Sequence, residues 1–399
     1  MNSHIEPKGP KKRRTWWIRL GVAGFAMFLA VVAAEVVLRQ TLREVREYYV
    51  WWPHLQRTFQ VEAGLMPGVE GRTQFLVSSI GLRADELSEE DDYRMLAVGG
   101  STTECLFLDQ DIAWPEGVEH VLNQGQDRLR VWMGNAGKSG LNTRDHIVQL
   151  KHVLPLVSRV DAVVMMIGVN DMMLRLSRDD DYNPDFMQEE NAETVILPRS
   201  FQMLPIQHET RYLAFQKTAL WRLATRVKDS LFESNKVQDN AGRNIIRWRE
   251  HRNSAPAWLD ELPDITAGLK EYRRNIRELI RICRECGVRP VFMTQPAIWT
   301  EDFPEALERY LWVGGIGDYM EVPGSTYYTV DVLMQAMELY NASVLDICAQ
   351  EGVDCFDVAA VLPRNTASFY DDIHFNAGGG KRVSELFGAY MLERAPFSE

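Results

Sequence analysis

Four short polar blocks in this 399-residue chain hold residues whose types and spacing suit nucleophilic chemistry. A serine becomes a nucleophile when a base takes its proton, the base needs an orienting partner, and the oxyanion needs hydrogen-bond donors. Together the blocks supply groups for all three tasks. In chain order they are Gly99-Gly100-Ser101-Thr102-Thr103-Glu104, Asn135-Ala136-Gly137-Lys138-Ser139-Gly140, Gly168-Val169-Asn170-Asp171 and Asp371-Asp372-Ile373-His374.

Each block follows a short apolar segment that is typical of a buried strand. The clearest is segment 161–167, a continuous apolar run of the kind found in parallel sheets covered on both faces. Segments with helical spacing of apolar residues lie between these strands. The predicted strands are 94–98, 130–133, 161–167, 290–294 and 353–361, and the predicted helices are 113–123, 143–157, 265–283, 330–350 and a last helix from near 377.

Strands that alternate with helices predict an α/β fold, a doubly wound (flavodoxin-like) parallel sheet of about five strands with helices on both faces. In such folds the catalytic loops gather at the carboxyl ends of the strands. We therefore expect the four polar blocks to meet at one edge of the sheet.

In their order and spacing, the four blocks resemble the motifs of the SGNH (GDSL-type) hydrolases, a family of serine esterases and lipases. The resemblance implies that Ser101 is the nucleophile, His374 the general base and Asp371 the residue that orients the base. It also implies an oxyanion hole formed by the backbone N–H groups of Ser101 and Gly140 and the side-chain amide of Asn170. Taken singly, Ser101 could instead cap a helix, Asn170 could serve a turn and His374 could be structural.

The resemblance spans residues 80–390, and the sequence departs from the family pattern at two places. Gly100 stands where the family usually has an aspartate, and Cys105 stands where a glycine often follows. Because the missing aspartate is not part of the triad, we expect altered loop packing without loss of chemistry. Asp372 lies beside Asp371, so two carboxylates could orient the histidine, and the family spacing favours Asp371.

The sequence indicates neither a metal ion nor a cofactor. Four of the five cysteines lie close together in the sequence as two sets, Cys283 with Cys286 and Cys348 with Cys355. This spacing matches no familiar zinc site. For Cys348 and Cys355, a disulfide and two buried free thiols remain open alternatives.

Composition and charge argue against nucleic acid or nucleotide partners. The chain is 46% apolar and 25% charged, which are ordinary values for a globular protein, and its net charge is −12. Phosphate binding by nucleic-acid partners needs a basic surface, which this balance does not favour. Residues 134–139 look like a nucleotide-binding loop, but Trp132 stands where that motif needs a glycine.

The N-terminus predicts a membrane-spanning helix. A basic leader, residues 1–15, precedes the apolar segment 16–38, which as a helix would be about 34 Å long against a hydrocarbon core of about 30 Å. Trp16 and Trp17 suit the headgroup level, and a basic leader remains in the cytoplasm. We therefore predict a single-pass protein of the inner (cytoplasmic) membrane, with a cytoplasmic N-terminus and an extracytoplasmic, periplasmic catalytic domain.

Three other interpretations of the N-terminus remain open. Val32-Ala33-Ala34 resembles a signal-peptide cleavage site, which would make Glu35 the first mature residue. Arg13-Arg14-Thr15-Trp16-Trp17 loosely resembles a twin-arginine export signal. The third is a buried helix of a soluble protein. The first two still place the bulk of the chain outside the cytoplasm.

The rest of the chain divides into a predicted connecting region, 39–90, and a predicted SGNH-like hydrolase domain, 91–396. Within that domain, segment 172–262 is too long for a simple connection, and we interpret it as an insertion that covers the site. The alternative is a packing subdomain without substrate contact.

Within this segment, Trp221 or Trp248 could stack on a sugar ring of the substrate. A helix with one buried face, which could roof a cleft or lean towards the bilayer, is predicted from Leu213, Leu220, Leu223, Val227 and Leu231.

These features predict a membrane-anchored extracytoplasmic serine esterase or deacylase. Its expected substrates are acylated cell-envelope glycans or lipids, because the anchor confines the enzyme near both. One alternative is an O-acyltransferase that uses the same triad to acylate a polysaccharide. Another is a catalytically silent SGNH-like protein that binds glycan or serves as a scaffold. The sequence does not indicate an oligomeric state.

Overall fold

The computed structural model describes residues 11–41, 48–203, 213, 215, 218–228 and 237–398. Most of the predicted basic leader (1–10) and the predicted apolar position Leu231 therefore lie outside the described residues. The chain divides into two compact units. One comprises residues 1–46 with 205–232, and the other comprises residues 47–204 with 233–399.

The elements are numbered in chain order. The strands are β1 (Gln56–Val61), β2 (Arg72–Leu76), β3 (Tyr93–Gly99), β4 (Val131–Asn135), β5 (Ala162–Met166), β6 (Val237–Ala241), β7 (Trp258–Leu259), β8 (Arg289–Met293), β9 (Tyr327–Tyr328) and β10 (Asp354–Phe356). The α-helices are α1 (Lys11–Thr41), α2 (Ser101–Glu104), α3 (Trp114–Gly125), α4 (Thr143–Val153), α5 (Val169–Arg178), α6 (Ala192–Ser200), α7 (Ala219–Lys228), α8 (Arg243–Asn253), α9 (Thr266–Glu285), α10 (Glu305–Glu308), α11 (Val330–Glu351), α12 (Val358–Val361) and α13 (Ala377–Leu392).

A five-stranded sheet in the order β10-β8-β5-β3-β4 forms the centre of the larger unit, and all its neighbouring strands are parallel. Every residue of β3, β4 and β5 is buried, so both faces of the sheet are covered. This confirms the α/β fold with five parallel strands that the sequence predicts. In the register, Gly99 of β3 lies opposite Met166 of β5, so the segments that follow these strands begin side by side.

Two predicted elements end earlier than expected. The fifth strand was predicted over 353–361, but β10 stops at Phe356 and α12 follows. The Asp357 side chain accepts the backbone N–H of Ala360 and caps this short helix, which ends the strand. The helix predicted over 143–157 ends as an α-helix at Val153, because Pro155 allows only a short 3-10 turn there.

The predicted connecting region, 39–90, holds regular structure that the sequence analysis did not anticipate. Strands β1 and β2 pair antiparallel, and β6, from the predicted insertion, pairs parallel with β1. Phe59 and Phe75 of this small sheet are buried in the core. Residues 48–90 of this region are therefore part of the larger folded unit.

In the smaller unit, α1 is a 31-residue helix. Its segment Trp16–Gln40 has the length and the apolar composition needed to cross a membrane, and it is not buried against other protein. Helix α7 packs against α1 within the same unit.

The five cysteines are free thiols. Cys348 is buried and Cys355 is half-buried, and no disulfide joins them. Of the two alternatives for Cys348 and Cys355, a disulfide or free thiols, the structure has free thiols.

Candidate active site

The candidate nucleophile lies where β3 ends. Ser101 is the first residue of α2, and Gly100 is its N-cap. A Cβ atom on Gly100 would lie 2.4 Å from Nδ2 of Asn170, closer than any side chain can approach. A residue larger than glycine at position 100 would therefore force the Asn170 amide to move.

The structure brings Ser101, His374 and Asp371 together although 270 residues separate Ser101 from Asp371 in the sequence. Nε2 of His374 lies 2.7 Å from the hydroxyl oxygen of Ser101. Nδ1 of His374 lies 2.8 Å from Oδ2 and 3.0 Å from Oδ1 of Asp371. Because Nδ1–H donates to the carboxylate, Nε2 is left as the acceptor for the serine proton.

Asp371, and not Asp372, is the carboxylate that faces the histidine. Oδ1 of Asp371 accepts the backbone N–H groups of Ile373 (3.0 Å) and His374 (2.9 Å). Oδ2 of Asp371 accepts the indole N–H of Trp312 at 2.9 Å.

The neighbouring carboxylate, that of Asp372, is bound by a different set of N–H donors. Asp372 accepts the backbone N–H of Trp312 at 2.7 Å and that of Val313 at 3.3 Å, and it accepts the indole N–H of Trp299 at 3.2 Å. Neither Asp371 nor Asp372 is exposed to solvent. The backbone and indole donors thus hold the two adjacent carboxylates in different directions.

The electrostatics of the two carboxylates differ. Burial acts to raise the pKa of Asp371, but the charge and hydrogen bond of His374 and the Trp312 donor outweigh it and hold the pKa below its ordinary value. Burial raises the pKa of Asp372 to about 6, against the opposing charge of Arg252. Asp371 is therefore the carboxylate that stays ionised beside the histidine.

The histidine itself is made more basic than usual. Burial acts to lower the pKa of His374, but the charge of Asp371, their hydrogen bond and the charge of Asp372 raise the pKa above its ordinary value. A base with a raised pKa has a greater affinity for the serine proton.

The predicted oxyanion donors lie in segments that contact one another. Asn170 is in the first turn of α5, and its Nδ2 donates to the carbonyl of Leu141 at 2.7 Å. Gly140, next to Leu141, is exposed and has a φ of +77°, a left-handed conformation that favours glycine. The primary amide of Asn170 has two N–H donors, and one is free after the bond to Leu141. The same amide group also lies against Gly100, beside the serine.

Asp171 fixes the position of this amide. Its carboxylate accepts the backbone N–H of Thr143 at 3.2 Å, which joins the start of α5 to the start of α4. Burial raises the pKa of Asp171 to about 7, although the Thr143 hydrogen bonds oppose the shift. Asn170 is thus held by a buried contact between two helices.

The loop after the nucleophile is held by a buried arginine. Arg83 donates to the backbone carbonyls of Glu104 (2.7 Å), Cys105 (2.8 Å) and Leu108 (2.9 Å). The buried Glu104 side chain accepts the hydroxyl of Ser139, which connects the serine helix to the Gly140 loop. Cys105 has a φ of +51°, a left-handed conformation for which glycine is better suited.

Aromatic side chains that sequence reasoning missed enclose the histidine. The ring of Tyr370 is stacked with that of His374 at a centroid distance of 5.4 Å, and the ring of Trp312 is stacked with it at 6.2 Å. Trp248, one of the two tryptophans that could stack on a sugar ring, packs on Trp312 with a centroid distance of 4.7 Å. Trp312 follows no strand and belongs to no motif, so no local signal marked it.

The arrangement can move a proton from Ser101 to His374 while Asp371 balances the charge that forms on the imidazole. Among the described residues, no group of three or more His, Cys, Asp or Glu side chains could hold a metal ion. The groups brought together are those of covalent acyl transfer through a serine.

Residues 97–382 match the family model described as GDSL-like Lipase/Acylhydrolase family. A comparison with curated proteins gives no match.

Several solved structures are similar to this chain. An alpha/beta hydrolase enzyme from the metagenome of Lake Arreo is 16% identical, with a TM-score of 0.40, over 75% of this chain and 94% of that one. The acetylxylan esterase Axe2 from Geobacillus stearothermophilus is 15% identical, with a TM-score of 0.39 and the same two coverages. A lipolytic protein of the G-D-S-L family from Desulfitobacterium hafniense is 8% identical, with a TM-score of 0.38, over 75% of this chain and 100% of that one.

Proposed function

The chain belongs to the GDSL-like lipase/acylhydrolase family of serine hydrolases that act on ester bonds, and we propose that it is a membrane-anchored extracytoplasmic esterase. In this proposal it removes acyl groups from glycans or lipids of the cell envelope. The α1 helix holds it in the cytoplasmic membrane, with the N-terminus in the cytoplasm and the catalytic domain on the periplasmic side.

The single observation that carries the proposed catalytic role is the continuous contact from Ser101 through His374 to Asp371. His374 accepts the hydroxyl proton as Ser101 attacks the ester carbonyl, and Asp371 stabilises the imidazolium. When the tetrahedral intermediate collapses, His374 gives that proton to the leaving alcohol, and an acyl-serine remains. His374 then activates a water molecule, which releases the carboxylic acid and restores the serine.

In this mechanism the oxyanion is bound by the backbone N–H groups of Ser101 and Gly140 and by the free N–H of the Asn170 amide. The contacts of Asn170 with Gly100 and Leu141 support this assignment, because each contact joins the amide to the residue next to another proposed donor. Loss of one such donor typically raises the barrier by about 3 kcal/mol.

Two features support a large envelope substrate. The α1 helix would confine the catalytic unit to the membrane, where acylated glycans and lipids are its neighbours. Ser139 and Gly140, beside the proposed oxyanion site, are exposed to solvent, so an acyl group on a bulky molecule can reach the serine.

The test uses the detergent-solubilised full chain with a small aryl acetate, with and without a polysaccharide acceptor, and Ser101→Ala as the control. We expect the wild type to release acid in both conditions and the control to be inactive. If the acyl group passed to the polysaccharide in preference to water, the protein would be an acyltransferase. No turnover of aryl or envelope esters by well-folded wild type would contradict the proposed enzyme.

A further inference from the structure

Helix α7 lies in a strongly cationic segment of an acidic protein. Five basic residues and no acidic ones occur between positions 211 and 228, whereas the whole chain has a net charge of −12. These basic residues are Arg211, Lys217, Arg222, Arg226 and Lys228. Such a segment attracts an anionic partner, in contrast to the rest of the molecule.

The start of α7 is hydrogen-bonded to α1. The carboxylate of Glu35 in α1 accepts the backbone N–H groups of Ala219 at 2.9 Å and Leu220 at 3.0 Å. These belong to the first turn of α7, whose N–H groups have no partner within the helix. The same carboxylate accepts a hydrogen bond from Arg39 at 2.7 Å. Glu35 therefore caps α7 and fixes its first turn to the side of α1.

The position of Glu35 along α1 places this contact relative to the membrane. Glu35 lies 18 residues after Trp17, which is about 27 Å along an α-helix, and a hydrocarbon core is about 30 Å thick. With Trp17 at one headgroup level, Glu35 is close to the other. The N-terminus of α7 then begins at that second boundary between lipid and water.

The outward side of α7 carries large apolar side chains. Trp221 is 39% exposed and Val227 is 47% exposed, while Ala219 at the start of the helix is buried. Phe215, just before the helix, is 51% exposed and packs edge-on against Trp221 at a centroid distance of 5.1 Å. An exposed aromatic pair in a segment of basic sequence is typical of helices that lie in a membrane interface.

We infer that α7 is an interfacial helix that lies on the surface of the bilayer and binds anionic phospholipid. Phe215, Trp221 and Val227 insert among the acyl chains, and the basic residues contact the phosphate groups. This inference rests on the proposed membrane anchor, because α1 brings α7 to the bilayer. Val227 belongs to the apolar positions predicted from sequence, and this inference assigns it to the bilayer instead of a catalytic cleft.

The test places a photoreactive side chain in the full-length protein, reconstituted in vesicles of phosphatidylglycerol and phosphatidylcholine. The variants are Trp221→p-benzoylphenylalanine and Val227→p-benzoylphenylalanine. Trp258→p-benzoylphenylalanine is the matched control, since Trp258 is a similarly exposed tryptophan (47%) in the larger unit. After irradiation, mass spectrometry should detect lipid adducts at positions 221 and 227, and position 258 reports the yield at a similarly exposed tryptophan outside α7.

The charge component is tested by combining Arg222→Gln and Arg226→Gln with the photoreactive residue at position 227. Adduct yield should fall several-fold in vesicles that contain phosphatidylglycerol and should change little in pure phosphatidylcholine. Equal yields with and without the two arginines would contradict the proposed role of anionic headgroups. Crosslinks from positions 221 and 227 to protein, without lipid adducts, would show that another surface covers α7 and would overturn the inference.

Two measurements on the same vesicles separate this inference from the proposed function. Retention after an alkaline carbonate wash reports the anchor, and hydrolysis of an aryl acetate reports the enzyme. Retained, active protein without lipid adducts at 221 or 227 would overturn the interfacial helix alone. Release of the full-length protein by carbonate would overturn both the anchor and the interfacial helix.

Discussion

The indole N–H of Trp312 donates to Oδ2 of Asp371 at 2.9 Å, and the same oxygen lies 2.8 Å from Nδ1 of His374. Trp312 also stacks with the His374 ring, so one side chain contacts both members of the pair. The tryptophan therefore helps to determine how the carboxylate and the imidazole face each other.

Trp312→Phe keeps an aromatic ring and removes the donor. Because a hydrogen bond to a charged group contributes about 1.5–3 kcal/mol, we expect kcat for an aryl acetate to fall by about tenfold to a hundredfold. The matched control is Trp248→Phe, because Trp248 packs on Trp312 but its indole nitrogen has no hydrogen-bond partner. Similar kcat losses in the two variants would indicate that only packing is affected.

The two adjacent carboxylates should differ in their importance. Asp371→Asn leaves the shape intact but offers an amide to His374, which favours the wrong tautomer, and we expect kcat to fall by about 10⁴-fold. Asp372→Asn should retain most activity, since Asp372 bonds to Trp299, Trp312 and Val313 and not to the histidine. Steady-state kinetics with one aryl acetate checks this, and a greater loss in Asp372→Asn would reverse the assignment.

The charge of Asp372 should appear in the pH dependence. In the proposed mechanism the rate requires neutral His374, so kcat/KM should be lost as the pH falls through the pKa of His374, which lies above its ordinary value. Because Asp372 is one of the charges that raise this pKa, Asp372→Asn should move the acid limb to lower pH. The measurement is kcat/KM from about pH 5 to 9, limits chosen to bracket histidine titration. An acid limb that stays in place or moves to higher pH in Asp372→Asn would contradict the electrostatic role of Asp372.

Sequence reasoning succeeded where local pattern and tertiary environment agree. Strands β3 and β5 are continuous apolar runs because both faces of the sheet are covered, and Ser101 and Asn170 follow them directly. Strands β1 and β2 were missed because they are mostly polar, and β1 pairs with both β2 and β6. Trp312 was missed because it contacts Asp371 across 59 positions of sequence without a local pattern.

Gly100→Ala should disable the proposed oxyanion hole without affecting the triad residues. The added methyl would lie 2.4 Å from Nδ2 of Asn170, so the amide must move away from the serine. We expect kcat to fall by about 10²–10³-fold, similar to Asn170→Ala. Since both changes remove the same donor, the double variant should lose little more than either single one. Fully additive losses in kcat would show that Gly100 acts through another contact.

The predicted insertion contributes to the site itself through α8, and this yields the last prediction. The buried Arg249 donates to three backbone carbonyls, those of Leu65 (2.7 Å), Tyr370 (3.0 Å) and Tyr310 (3.1 Å). It therefore holds the segment that precedes Asp371. A lysine cannot reproduce this forked set of donors, so Arg249→Lys should lower the free energy of unfolding by about 2–4 kcal/mol.

Because the displaced segment carries the aspartate and histidine of the proposed triad, Arg249→Lys should reduce kcat/KM by a similar factor on a small aryl acetate and on a large acylated glycan. A contact that only bound the distant part of a substrate would affect the large one alone. Arg247→Gln on the same helix is the control, since Arg247 pairs with the exposed Glu321 and should change stability by less than about 0.5 kcal/mol. Denaturant unfolding and kinetics on both substrates check this, and a loss confined to the glycan would assign Arg249 to substrate binding.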